Sequence, residues 1–130
     1  MKEIIEVSLI LVAVCTTSIV LQKYLEKTSD EILFNLNNLK DEIILAKELN
    51  STENLKQVLN DLMEKWEEIS KVWSMVVAHQ ELDNIKLSIL EIKGAIESSS
   101  LEDAIEEIEK TIFLAGHIKE KESFRLKNIF

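Results

Sequence analysis

The sequence predicts an all-α protein, an N-terminal transmembrane helix followed by an antiparallel bundle of three to four helices. Three observations predict it. There is no proline and only two glycines, Gly94 and Gly116, beside abundant Leu, Ile, Glu and Lys, which removes most of the punctuation that sheets and tight hairpins need. Residues Val7 to Leu21 (VSLILVAVCTTSIVL) carry no charge. Beyond residue 28, apolar residues recur at alternating spacings of four and three, the period of a helix that buries one stripe.

The apolar segment comes first. With Ile4 and Ile5 it reaches 18 residues, interrupted only by Glu6. At about 1.5 Å per residue this is roughly 27 Å, enough to cross a hydrocarbon core of about 30 Å when the flanking side chains snorkel. A cleavable signal peptide is the rival reading, with small residues near Thr16 to Ser18 as its processing site. A retained single span is preferred, because Glu3 and Glu6 accompany Lys2 and the apolar run passes into Gln22, Lys23 and Tyr24 without a helix breaker. Val14 precedes the lone cysteine, Cys15, where a lipoprotein signal wants a small residue, so Cys15 reads as an ordinary membrane-buried residue. One cysteine gives neither an intramolecular disulfide nor a thiolate metal site.

Residues 1–27 therefore form an anchor and juxtamembrane linker, meeting the bilayer through residues 4–22. Lys2 and the terminal amine balance Lys23 and Lys27, which leaves the positive-inside bias small. By analogy with common signal anchors, a single-pass protein of the cell membrane with its domain extracytoplasmic is expected.

Residues 28–118 read as the bundle domain. Thr28-Ser29-Asp30-Glu31 has the form of a capping box opening a helix. Its stripe is Ile32, Leu36, Leu39, Ile43 and Ala46. A second capping box, Asn50-Ser51-Thr52-Glu53, introduces Leu55, Leu59, Leu62, Trp66, Ile69, Trp73 and Val76. The register slips around His79 to Asp83, as a kink or a tight turn, before Leu82, Ile85, Ile89, Ile92 and Ile96. Ser98-Ser99-Ser100 then caps a last helix with the stripe Leu101, Ile105, Ile108, Ile112 and Ala115. Short connections make consecutive helices antiparallel neighbours, and such stripes are stable in water only when packed together. The two hairpins, near Ser51 and Ser99, look alike in layout, and a sustained three-four spacing also suits self-association.

The formal charge of −9 lies wholly in residues 28–130, since Lys2, Lys23 and Lys27 cancel Glu3, Glu6 and Glu26. An acidic domain repels phosphate backbones, so nucleic acid is not an expected partner. Residues 119–130 (KEKESFRLKNIF) form a basic, aromatic tail. Closing the end of the bundle is its preferred role, and membrane-surface binding is the other.

Chemistry is sparse. His79, Glu81 and Asp83, with His117 from another helix, invite a metal reading, the candidate ligands being His79, Asp83 and His117. Di-iron bundles place Glu and His three residues apart on inward faces, and no Glu-x-x-His occurs here, so capping and turn roles are preferred. There is no nucleophile elbow, phosphate-cradling glycine loop or dinucleotide fingerprint. Neither catalytic residues nor a cofactor are expected. Trp66 and Trp73, seven apart on one stripe, are core residues or an exposed docking ridge, with core preferred. Together with Phe124 and Phe130 they are the candidate interaction residues.

The run Trp66-x-x-Ile69-x-x-x-Trp73, the following His79-Gln80-Glu81-Leu82-Asp83-Asn84-Ile85, and the ending His117-Ile118-x-Glu120-x-Glu122 through Asn128-Ile129-Phe130 carry a family likeness. The chain resembles a family of small clostridial proteins, domain of unknown function 4363, over nearly its whole length. The hydrophobic N-terminus and Ser29-Asp30-Glu31 are included. The resemblance implies a Gram-positive, membrane-associated protein and supplies no activity, ligand or catalytic residue. The functional expectation is a non-enzymatic, membrane-anchored interaction or accessory module with a protein partner or self-association. The alternative is a bundle that binds a metal or small ligand.

Overall fold

The computed structural model describes the backbone of residues 1–129 and the side chains of residues 1–125. Four helices follow one another: α1 (Lys2–Leu49), α2 (Leu55–Trp73), α3 (His79–Glu97) and α4 (Leu101–Ile129). Among the described residues there is no strand. At about 1.5 Å per residue, the 48 residues of α1 extend about 70 Å. Its first half projects alone and its second half enters the bundle.

α1 packs against α2 on one side and α4 on the other, α3 packs against α4, and α2 meets α3 more thinly. Ion pairs give the direction and register of the seams. On α1, Asp30, Lys40 and Lys47 pair with Lys119, Glu109 and Glu102 of α4, so ten and seven residues forward on one helix answer ten and seven back on the other. Glu31 with Lys65 and the hydrogen-bonded Thr28 with Trp73 run in opposite order on α1 and α2, and Glu81 with Lys121 and Glu91 with Lys110 do so on α3 and α4. Exposed pairs of this kind add little stability each, but they mark an up-down-up-down bundle.

The stripes of α1 and α3 are buried at every position the spacing selects. On α1 the pattern begins earlier than the sequence suggested, running through Leu25, Ser29, Ile32, Leu36, Leu39, Ile43 and Ala46 in unbroken four-three alternation. The first capping box is therefore not a helix start. Thr28 to Glu31 lie in the interior of α1, because ending the helix there would uncover Leu25 and break a stripe already in phase. α1 accordingly passes residue 27 without interruption. Thr28 takes a structural role instead: its Oγ1 donates to the Tyr24 carbonyl at 2.7 Å and accepts from Trp73 Nε1 at 2.8 Å.

The second capping box is also unrealised. α2 begins at Leu55 behind Asn54, with no side-chain cap bond. The connection is closed by the end of α1, where Asn50 is left-handed (φ 52°) and the Ser51 N–H donates to the Ala46 carbonyl at 3.2 Å. The α3–α4 connection repeats this closure, with Ser99 left-handed (φ 60°) and the Ser100 N–H donating to the Ala95 carbonyl at 2.8 Å. Asn tolerates that conformation; Ser does so at greater cost.

Between α2 and α3 the register slip is a turn. The Val77 N–H donates to the Trp73 carbonyl at 2.7 Å, and Val77, four residues beyond Trp73, is buried where Val76 is only half-buried. On α4 the predicted stripe is displaced. Ile108 and Ala115 are buried, but Leu101, Ile105 and Ile112 are half-buried, while Ala104, Thr111, Ile118 and Glu122 are enclosed. α4 lies between α1 and α3, and its enclosed line mixes the small Ala104, Thr111 and Ala115 with Ile108 and Ile118, while Leu101, Ile105 and Ile112 flank it. Thr111 and Ser88 share a buried hydrogen bond across the α3–α4 seam.

Thr28→Val should destabilise the bundle by about 1–3 kcal/mol, since it leaves the buried Trp73 N–H without an acceptor. Thermal unfolding followed by circular dichroism measures this, and the loss should shrink in a Trp73→Phe background. Ser99→Gly should raise the melting temperature, through relief of about 1 kcal/mol of left-handed strain.

Candidate functional site

The apolar segment is the first functional feature that the fold isolates. α1 is long and apolar enough to cross a membrane, and the qualifying window buries none of its residues inside the protein. Ile4, Ile5, Val7, Leu9, Ile10, Leu11, Val12 and Val20 are all exposed, which water would not favour for so long a run. We call the end of the bundle from which this segment projects the basal end.

The seams place two other elements at the basal end. Because Lys119 faces Asp30, Phe124 lies near the level of Leu25; because Trp73 bonds Thr28, Met75 in the α2–α3 turn lies about half a turn below Thr28. Both are strongly exposed, Phe124 at 70% and Met75 at 74%. Lys23, Lys27, Lys71, Lys121 and Arg125 are exposed at the same end.

Beneath this rim lies a polar layer. Glu122 is 3% exposed, and burial pushes its carboxyl above the usual glutamate range, with Arg125 and Lys121 opposing that shift and Glu81 adding to it. Arg125 approaches Glu122 only to 3.9 Å. Glu81 accepts from Lys121 Nζ at 3.0 Å through Oε1, while its Oε2 is buried without a partner, as is the Ser29 hydroxyl. These groups, with Thr28 and Trp73, make the base of the bundle more polar than its middle.

The sequence-predicted site residues fall in separate places. Trp66 and Trp73 are both core residues, packed edge to face with ring centroids 5.8 Å apart, and offer no exposed ridge. Phe124 is exposed on α4, so it does not close the bundle, and Phe130 lies outside the described residues. His79 and Asp83 are exposed on the first turns of α3, and His117 is exposed on α4 against the ring of Phe113, centroids 6.3 Å apart and nearly parallel. Among the described residues no group of three or more His, Cys, Asp or Glu side chains is arranged to hold a metal ion, so His79, Asp83 and His117 do not form one.

Several exposed apolar residues were missed, among them Phe34 and Leu87 as well as Phe113 and Met75. Phe113, 71% exposed, follows the stripe residue Ile112 and shares a helical face with His117 and Phe124. Met75 stands in a turn that the sequence left undefined. The signal for both was a large apolar side chain out of phase with its stripe. A cleft of about 300 Å³ also opens along the thin α2–α3 seam, between Met63, Trp66 and Ser70 on one side and Lys86, Ile89 and Leu90 on the other.

Comparison with known families agrees with the likeness carried by the tryptophan and histidine runs. The family described as Domain of unknown function (DUF4363) matches residues 19–129, from within the apolar segment to the end of α4. No curated protein and no solved structure matches the chain.

A raised Glu122 pKa means that folding takes up a proton, so its contribution is fully present below the ordinary glutamate range and is lost as pH rises through the folded-state value. Glu122→Gln should therefore stabilise the protein more at about pH 8 than at about pH 4, where both forms are neutral. Paired melting curves of the two proteins across that range measure the difference.

Proposed function

The chain belongs to the DUF4363 family, and we propose that it works without catalysis, as a membrane-anchored helical module holding a protein partner at the cell envelope. The observation that carries this reading is the continuity of α1, in which an apolar segment with nothing packed on it runs directly into the core stripe of a bundle. A chain built this way gives about its first sixth to attachment and the rest to a compact surface for presentation. The bundle is then single-pass and extracytoplasmic, in the orientation of common signal anchors.

The outer face of α4 supports a partner-binding role. Phe113 and His117 form an exposed aromatic pair there, bordered by Glu106 and Glu120. Exposed aromatic side chains with a polar rim are the usual anchors of protein interfaces.

A photo-crosslinking amino acid at Phe113, introduced into the full chain in native membranes, should yield one discrete protein adduct. The adduct should be lost when His117 is also changed to Ala. Adducts to lipid alone, or a smear unchanged by that second substitution, would count against a dedicated partner.

A further inference from the structure

We infer that the basal end of the bundle is a lipid-binding surface, seated on the anionic headgroup layer of the membrane that holds α1. The inference rests on the anchor reading above and goes beyond it, because an anchored domain need not touch the bilayer.

Three independent observations meet there. The first is distance. The apolar run ends at Leu21, and Leu25 is already in the bundle core, so no linker separates them. At about 1.5 Å per residue the levels of Met75 and Phe124 stand about 5 Å beyond Gln22, inside a headgroup layer several ångströms deep. The second is apolarity. Met75 and Phe124 come from two different elements, the α2–α3 turn and α4, and both expose their side chains at this one level. The third is charge. Within α4, residues 102–109 carry Glu102, Asp103, Glu106, Glu107 and Glu109 and no cation, whereas residues 119–125 carry Lys119, Lys121 and Arg125 beside Glu120 and the buried Glu122. The helix thus turns its acidic end away from the apolar segment and its basic end toward it. Lys119 and Lys121 are paired there with Asp30 and Glu81, and Glu26, Asp83 and Glu120 stand at the same end; the cations there outside any ion pair among the described residues are Lys23, Lys27 and Lys71.

This arrangement matches an interfacial surface, with apolar side chains entering the acyl boundary and cations among lipid phosphates. It gives Phe124 a role that closing the bundle does not.

The test uses the full chain with Cys15→Ser, reconstituted in vesicles of mixed phosphatidylglycerol and phosphatidylcholine or of phosphatidylcholine alone. Nitroxide labels are attached through Met75→Cys, Phe124→Cys, Leu49→Cys at the far end of the bundle, and Val12→Cys in the span. Collision with a neutral water-soluble nickel chelate is read at each, circular dichroism checking that each variant folds. In mixed vesicles the labels at 75 and 124 should be severalfold less accessible than the label at 49, and this protection should weaken in phosphatidylcholine alone. Equal accessibility at 49, 75 and 124, or protection indifferent to lipid charge, overturns the inference while a protected label at 12 leaves the anchor standing. A label at 12 open to the chelate overturns both.

Discussion

One helix in this protein answers to two environments, and the rest of the fold is arranged around the place where they meet. From Val7 to Leu21 α1 carries no charge on any side and is largely apolar, which suits hydrocarbon. From Leu25 onward only one stripe is apolar, which suits a bundle in water. The change is completed within about one turn, and no proline or glycine eases it. Everything that packs on the second half of α1 therefore inherits its position from the first half.

The polar layer at the base follows from this constraint. Thr28 and Ser29 are buried where a longer linker would have left them in water, and the Trp73 indole supplies Thr28 with a donor. Glu122 is drawn into the same layer because α4 must run alongside α1 to this depth. Above it, the enclosed line of α4 includes the small Ala104, Thr111 and Ala115 around the fully buried Ile108, which helps one helix lie close to two neighbours.

Much of this architecture was legible in the sequence, and the reasons divide cleanly. The stripes of α1 and α3 were readable because burial on one face imposes a period, and Ile32 to Ala46 or Leu82 to Ile96 carry it without ambiguity. The first capping box misled because its Thr28-x-x-Glu31 pattern is a local preference worth about 1 kcal/mol, less than the burial of Leu25 on a continuing helix. The α4 stripe was displaced because hydrophobicity favours Ile105 and Ile112 over Ala104 and Thr111, while enclosure between two helices favours small side chains. At the candidate site, the tryptophan pair read correctly as core. Phe113 and Met75 escaped notice because a period argument discards what falls outside the period. The basal grouping of Met75, Phe124 and the cations depends on seam register, which no single stripe encodes.

With the apolar segment in a bilayer, the unbroken α1 also sets a height. A flexible linker would let the domain sweep a hemisphere and dilute its local concentration over that volume. Here the distal turns at Asn50 and Ser99 stand about 27 residues past Gln22, or about 40 Å above the surface, and they stay there. Rotation of the span turns the whole bundle with it. The chain then behaves as a shaft, presenting one azimuth at one altitude, so whatever it meets must already be at that altitude or be built to reach it.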